Sequence, residues 1–165
     1  MRRSVFGFTI FWICISLLQV GIIPQLRIGH VMPNIVIAAL VICVYWGYEM
    51  YQVVLAGLVA DVILSLYYPA SIVILTIILG LVISILVIGR VWYKRSDSTV
   101  SLLISIFLAV CFFDSAQAII HSAFQARSFG VIVGDGIYSS VLAGIGLGLH
   151  AIVSRRRVLP DLIRK

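Results

Sequence analysis

Asn34, Asp61, Asp114 and Asp135 each stand inside, or at the edge of, long apolar runs. A group of that kind needs a partner or a purpose, because an unpaired polar side chain in hydrocarbon is expensive. Asp114, Gln117 and His121 follow i, i+3, i+7 spacing, so on a helix they share one face. Gly57, Asp61 and Ser65 do the same at i, i+4, i+8. A carboxylate pair such as Asp61 and Asp114 can carry acid–base chemistry, including intramembrane proteolysis, but the flanking signatures of such proteases are missing. Asp114 and His121 lie about 10.5 Å apart along a helix axis, too far for direct proton transfer. No HExxH, P-loop or GxSxG motif occurs. Cys14, Cys43 and Cys111 sit singly in apolar runs and read as packing residues. The expectation is a non-enzymatic protein with no metal and no cofactor.

The elements that hold these residues follow from hydrophobicity. Of 165 residues, 62% are hydrophobic and 11% charged, with a mean hydropathy of +1.19. Soluble domains carry about 25% charged residues, so a water-facing globule is excluded, and disorder is excluded by the same numbers. Six uncharged stretches emerge, at 4–23, 33–46, 51–66, 70–92, 100–121 and 131–154. A bilayer core of about 30 Å takes roughly 20 helical residues. The second and third stretches together would reach about 51 Å as one helix. They are therefore expected as two short or tilted helices joined by a tight turn, or as partly re-entrant segments. The first stretch lacks a small-residue cleavage site and is expected to be a retained helix.

Charge supplies an independent reading. The chain carries 12 Lys and Arg against 6 Asp and Glu, a formal charge of +6. With six spans and the N-terminus in the cytoplasm, only Arg27 and Arg127 lie outside, and the other ten basic residues lie inside. The excess is thus explained by topology, and nucleic-acid binding loses its support. The expected architecture is an all-α integral membrane protein, a six-transmembrane-helix bundle with N- and C-termini cytoplasmic. It comprises a membrane domain over 1–154 and a short basic tail over 155–165, the latter set against anionic lipid.

In that topology Asp61 lies about 15 Å along the third helix and Asp114 about 21 Å along the fifth. Asn34 and Asp135 fall near the outer ends of the second and sixth. The polar groups gather in the outer half, where the two stripes are expected to converge with Asn34 and with Arg27 or Arg127. They form either an outward pocket or partner seam, or a set of mutual hydrogen bonds that holds the bundle together. Asp135, between Gly134 and Gly136, reads as a helix cap. Ser140, Gly144 and Gly148, and separately Ala56 and Ala60, form small-residue stripes for close helix packing.

The pattern resembles the MreD family of bacterial rod-shape-determining membrane proteins. The resemblance covers nearly the whole chain and is sharpest over 33–69. Pro33-Asn34 opens the second helix as the family's Pro-Asp or Pro-Asn does, and Tyr45-Trp46 is similar to its aromatic pair. Gly57-Leu58-x-x-Asp61, then Ser65 and Pro69, resemble its run into an intramembrane aspartate, and Asp114 a second aspartate in the fifth helix. Ala70-Ser71 departs from the glycine common after that proline, and the turn near Glu49 lacks the usual basic residues. The resemblance implies a multi-pass protein of the bacterial cytoplasmic (inner) membrane, a scaffold of the cell-elongation machinery that links peptidoglycan synthesis to rod shape. It implies MreC as direct partner, with MreB, RodA and a class B penicillin-binding protein in the wider complex. Pro33, Asn34, Gly57, Asp61 and Asp114 are the candidate structural or interface residues.

The family is similar in fold to the substrate-binding S components of energy-coupling-factor vitamin transporters, which makes such a component the alternative. Those subunits resemble one another in a small-residue stripe on the first helix. Here residues 6–20 are dominated by Phe, Trp, Ile and Leu, and Ala56-xxx-Ala60 sits on the third.

Overall fold

Each apolar run folds as a helix. The computed structural model describes residues 5–67, 72–93, 99–120 and 128–163. Its helices are α1 (Val5–Gly21), α2 (Ile35–Tyr45), α3 (Met50–Tyr67), α4 (Ile72–Tyr93), α5 (Thr99–Ile120) and α6 (Phe129–Ile163). Among the described residues no strand forms; the one bridge pairs Ile28 with Val31 across a turn in which Gly29 takes φ 63°. The chain is an all-α bundle.

The helices are unequal, and the inequality organises the fold. At 11 residues, α2 is about 16 Å long. Seven of those residues are buried: Val36, Ile37, Ala38, Leu40, Val41, Cys43 and Val44. It touches each of the other five helices, which pack as neighbours in the order α1, α3, α4, α5, α6 around it. A short central helix is thus enclosed by longer ones. Between α1 and α2 runs an irregular stretch that begins with a single 3-10 turn, Ile23–Leu26, carrying Pro24 in its first turn. Tyr138 on α6 donates to the Leu26 carbonyl at 3.1 Å.

The second and third apolar stretches are two helices, as their combined length demands. Their joint is a left-handed C-terminal cap: Gly47 takes φ 81°, its N–H donates to the Val44 carbonyl at 3.3 Å, and the Tyr48 N–H donates to Cys43 at 3.1 Å. Glu49 then precedes α3, where the Gln52 side chain accepts from the Glu49 N–H at 3.2 Å, half of a capping box. A Cβ at Gly47 meets the left-handed penalty of about 1–2 kcal/mol. Gly47→Ala is therefore expected to lower the unfolding midpoint by a few degrees while α-helix content by circular dichroism stays unchanged.

Large apolar side chains cover much of the exterior. Phe6, Leu66 and Phe129 are about three-quarters exposed, and Ile88, Val100 and Ile119 nearly two-thirds. Segments of α5 (Thr99–Ile119) and α6 (Phe129–Ala151) are long and apolar enough to cross a membrane, with mean hydropathies of 2.0 and 1.5; the others are shorter apolar helices. α6 does not end near Ser154, as the apolar run suggests, but continues through Arg155, Arg156 and Arg157 to Ile163.

Candidate functional site

A cluster of polar residues converges on the N-terminus of α2. A helix start leaves four backbone N–H groups without intrahelical partners, and one buried in apolar surroundings must find them elsewhere. Asn34 is the cap, and its Oδ1 accepts from the Ile37 N–H at 3.2 Å. The Ile35 N–H donates to Gln19 Oε1 at 2.8 Å, and Gln19 Nε2 donates to the Pro33 carbonyl at 3.1 Å. The Asn34 N–H donates to Ser139 Oγ at 2.8 Å, and the Ser139 hydroxyl donates in turn to the Asp135 carbonyl at 2.6 Å. The Met32 N–H donates to Asp135 Oδ1 at 2.5 Å. Pro33 is buried and contributes no N–H, so it adds no further demand.

Three of these side chains come from distant helices. Gln19 ends a buried stripe on α1 with Phe8, Trp12 and Ser16. Asp135 and Ser139 are one turn apart on α6, 1% exposed each. Asp135 is therefore not the cap of its own helix, which starts at Phe129; it serves the stretch before α2 across 103 positions of sequence. The glycines on either side let neighbours approach. A Cβ at Gly134 would stand 2.7 Å from Val31 Cγ2, and one at Gly136 would stand 2.8 Å from Cys111 Sγ. Ser140 continues this contact by donating to the Leu103 carbonyl at 3.2 Å. The α6 small-residue stripe thus packs on α5 within the chain over its first half; at Gly148 a Cβ would meet nothing within 4 Å.

Asp114 and Gln117 join this cluster. With Gln19, Met32, Asn34, Leu64, Phe113 and Asp135 they line a cavity of about 10 Å³, enough for about one water molecule. Asp61 does not join. It accepts from the Thr76 hydroxyl on α4, and Gly57 on the same helix packs α3 against α4, where a Cβ would stand 2.8 Å from Ile83 Cδ1. The α3 and α5 polar stripes therefore face different neighbours, and among the described residues the expected convergence holds for Asn34, Asp114 and Gln117. Ser65 bonds the Val62 carbonyl of its own helix. Arg27 is exposed and bonds the Gly29 carbonyl and His30 Nδ1. His121, Arg127 and Pro69 lie outside the described residues.

Sequence reasoning missed Gln19, Ser139 and Thr76. The available signal was their spacing: Trp12, Ser16 and Gln19 at i, i+4, i+7, and Asp135 with Ser139 at i, i+4. No group of three or more His, Cys, Asp or Glu able to hold a metal occurs among the described residues. The arrangement can immobilise a buried backbone segment; at about one water in volume it falls far short of the roughly 300–1,000 Å³ of small-molecule pockets. Fold and site together define the class, an apolar α-helical bundle closed around a capped half-length helix. Comparison with protein-family models, with curated proteins and with solved structures finds no match to this chain.

Proposed function

We propose that this chain is a multi-pass protein of the bacterial cytoplasmic membrane, acting without catalysis as a scaffold of the cell-elongation machinery. In this reading it holds MreC and, through it, couples MreB, RodA and a class B penicillin-binding protein to rod-shaped growth. The observation that carries the proposal is the use made of the buried polar groups. Gln19, Asn34, Asp135 and Ser139 all serve the start of α2, and the space left beside them takes about one water. A protein whose intramembrane polar residues fix its own backbone is suited to present a rigid surface to others.

The apolar exterior supports the membrane setting. All six helices cross it or dip into it, and the short α2 is completed by the irregular residues 27–34, whose Met32 and Asn34 N–H groups donate to α6 side chains. Trp46 stacks near His150 with ring centroids 5.9 Å apart, and Phe8 near Tyr48 at 5.4 Å. These rings form an interfacial belt at the end where α1 begins and α2 ends. From Phe129 to that belt α6 rises about 33 Å, one bilayer core, and residues 151–163 continue about 20 Å into the cytoplasm.

The test is co-expression of the tagged chain with MreC of the same organism and extraction in mild detergent. Capture of MreC in near-stoichiometric amount is the expected result. Intact, helical protein that leaves MreC in the flow-through overturns the proposal, and a small vitamin retained through purification would put the transporter subunit in its place.

A further inference from the structure

An apolar cleft opens to the exterior between α4 and α5. Val82, Ile85 and Leu86 line it from α4, and Leu108, Ala109 and Phe112 from α5. The polar residue in its wall, Ser105, donates its hydroxyl to the Ser101 carbonyl of its own helix at 2.9 Å. The cleft holds about 120 Å³, too little for a drug-sized ligand, which needs roughly 300–1,000 Å³. Its offer is apolar contact along a narrow seam.

Charge is the second and independent observation, and it stands at one end of the cleft. Val82, Leu86 and Arg90 follow i, i+4, i+8 spacing on α4. Arg90 therefore takes the next position on the cleft face, about 6 Å beyond Leu86. Before it α4 carries no charged residue from Ile72 to Gly89, and α5 carries none before Asp114, which lines the interior cavity beside α2. α5 begins at this same end with no acidic residue in its first turn, and a helix start favours an anion. The whole stretch 90–98 holds Arg90, Lys94 and Arg95 against Asp97. With the N-terminus in the cytoplasm, this end lies at the inner leaflet.

We infer that the α4–α5 cleft is the seat of one anionic phospholipid of the inner leaflet, with an acyl chain along the seam and the phosphate group at the Arg90 end. Apolar depth with positive charge at one surface matches the polarity of such a lipid. A partner helix fits less well. Close approach of a helix backbone needs small residues at the contact, whereas Ile85 and Leu108 in the cleft wall are more than half exposed. A flexible acyl chain passes between such side chains. A second copy of this chain, related by a two-fold axis through this face, would bring two Arg90 ends to the same level. The inference rests on the membrane setting proposed above and is independent of MreC.

The test uses the full chain in mild detergent, offered equal phosphatidylglycerol and phosphatidylcholine, with bound lipid counted per chain by native mass spectrometry. One phosphatidylglycerol per chain, held in preference to phosphatidylcholine, is the expected result. Ser105→Phe fills the cleft, and Leu108→Trp does so from its exposed rim without entering the core. Each should cut bound lipid at least tenfold while helix content by circular dichroism is unchanged. Arg90→Gln should lower the preference for phosphatidylglycerol about fivefold, the effect of one basic residue at a membrane surface, and leave phosphatidylcholine binding as it was. Replacing Arg155, Arg156 and Arg157 by Gln should leave the preference intact. Lipid retained by both filled-cleft variants overturns the inference, as does a preference that follows the α6 arginines and ignores Arg90. Disulfide adducts in native membranes from Leu108→Cys to a protein partner would assign the cleft to that partner and also overturn it. An unaltered chain that fails to float with phosphatidylglycerol vesicles removes the membrane setting first, and the inference with it.

Discussion

Gln19→Leu lowers the thermal unfolding midpoint of the detergent-solubilised protein by roughly 10 °C, the effect expected from about 3 kcal/mol in a chain of this length. The substitution keeps volume and apolar character in a side chain that is 2% exposed, so packing loss is small. It strands two backbone groups at once, the Ile35 N–H and the Pro33 carbonyl. Each buried group left unsatisfied costs about 1–3 kcal/mol. Interhelical side-chain bonds in membranes average nearer 0.6 kcal/mol, because the unfolded state in lipid finds other partners. The backbone at the start of α2 has no such choice once the helix forms, so the larger range applies. Hydrogen exchange gives a local readout: the Ile35 amide should exchange at least tenfold faster while those in the middle of α5 hold. A midpoint shift under 2 °C with unchanged exchange at Ile35 would show that Gln19 is not a structural bridge.

That prediction explains why part of the architecture could be read from the chain and part could not. The six helices were legible because their ends are written locally. Pro33-Asn34 opens α2, Gly47 closes it, and Glu49 with Gln52 opens α3. Length alone separated α2 from α3. Asn34, Asp114 and Gln117 were legible as members of one cluster because they are conspicuous in apolar sequence. Gln19 and Ser139 were not, because what they bind is backbone, and backbone carries no sequence signature. Ser139 lies 105 positions from the N–H it accepts. Asp135 was visible but assigned to its own helix, since adjacent glycines suggest a start; their role is to admit Val31 on one side and Phe107 with Cys111 on the other.

The same asymmetry separates the two aspartates that stood out most. Asp114 faces the cavity beside α2, in the structural interior. Asp61 faces α4. Residues of one type, both buried, thus hold different seams: Asp114 the surroundings of α2, and Asp61 the contact of α3 with α4.

Asp135 offers the sharper test of what the cluster is for, because its two simplest replacements differ in kind. Asp135→Asn keeps an oxygen where the Met32 N–H donates and puts an amide NH2 in place of the other carboxyl oxygen, so no negative charge can form there. Asp135→Ala removes the acceptor, leaves the Met32 N–H without one, and opens a void between Gly134 and Gly136. A hydrogen bond to a charged acceptor contributes about 1.5–3 kcal/mol, and a neutral one about 0.5–1.5. Asp135→Asn is therefore expected within about 1–2 kcal/mol of the parent, and Asp135→Ala about 3 kcal/mol below it. Ser139→Ala should act on the same segment by releasing the Asn34 N–H, so the Asp135→Ala, Ser139→Ala double variant should fall short of the summed losses. If the scaffold reading holds, both alanine variants should release MreC only in proportion to the fraction unfolded. An asparagine variant as unstable as the alanine one would mean that the negative charge itself is required at this position, and the cluster would then have to be read as an ion-binding or proton-binding site.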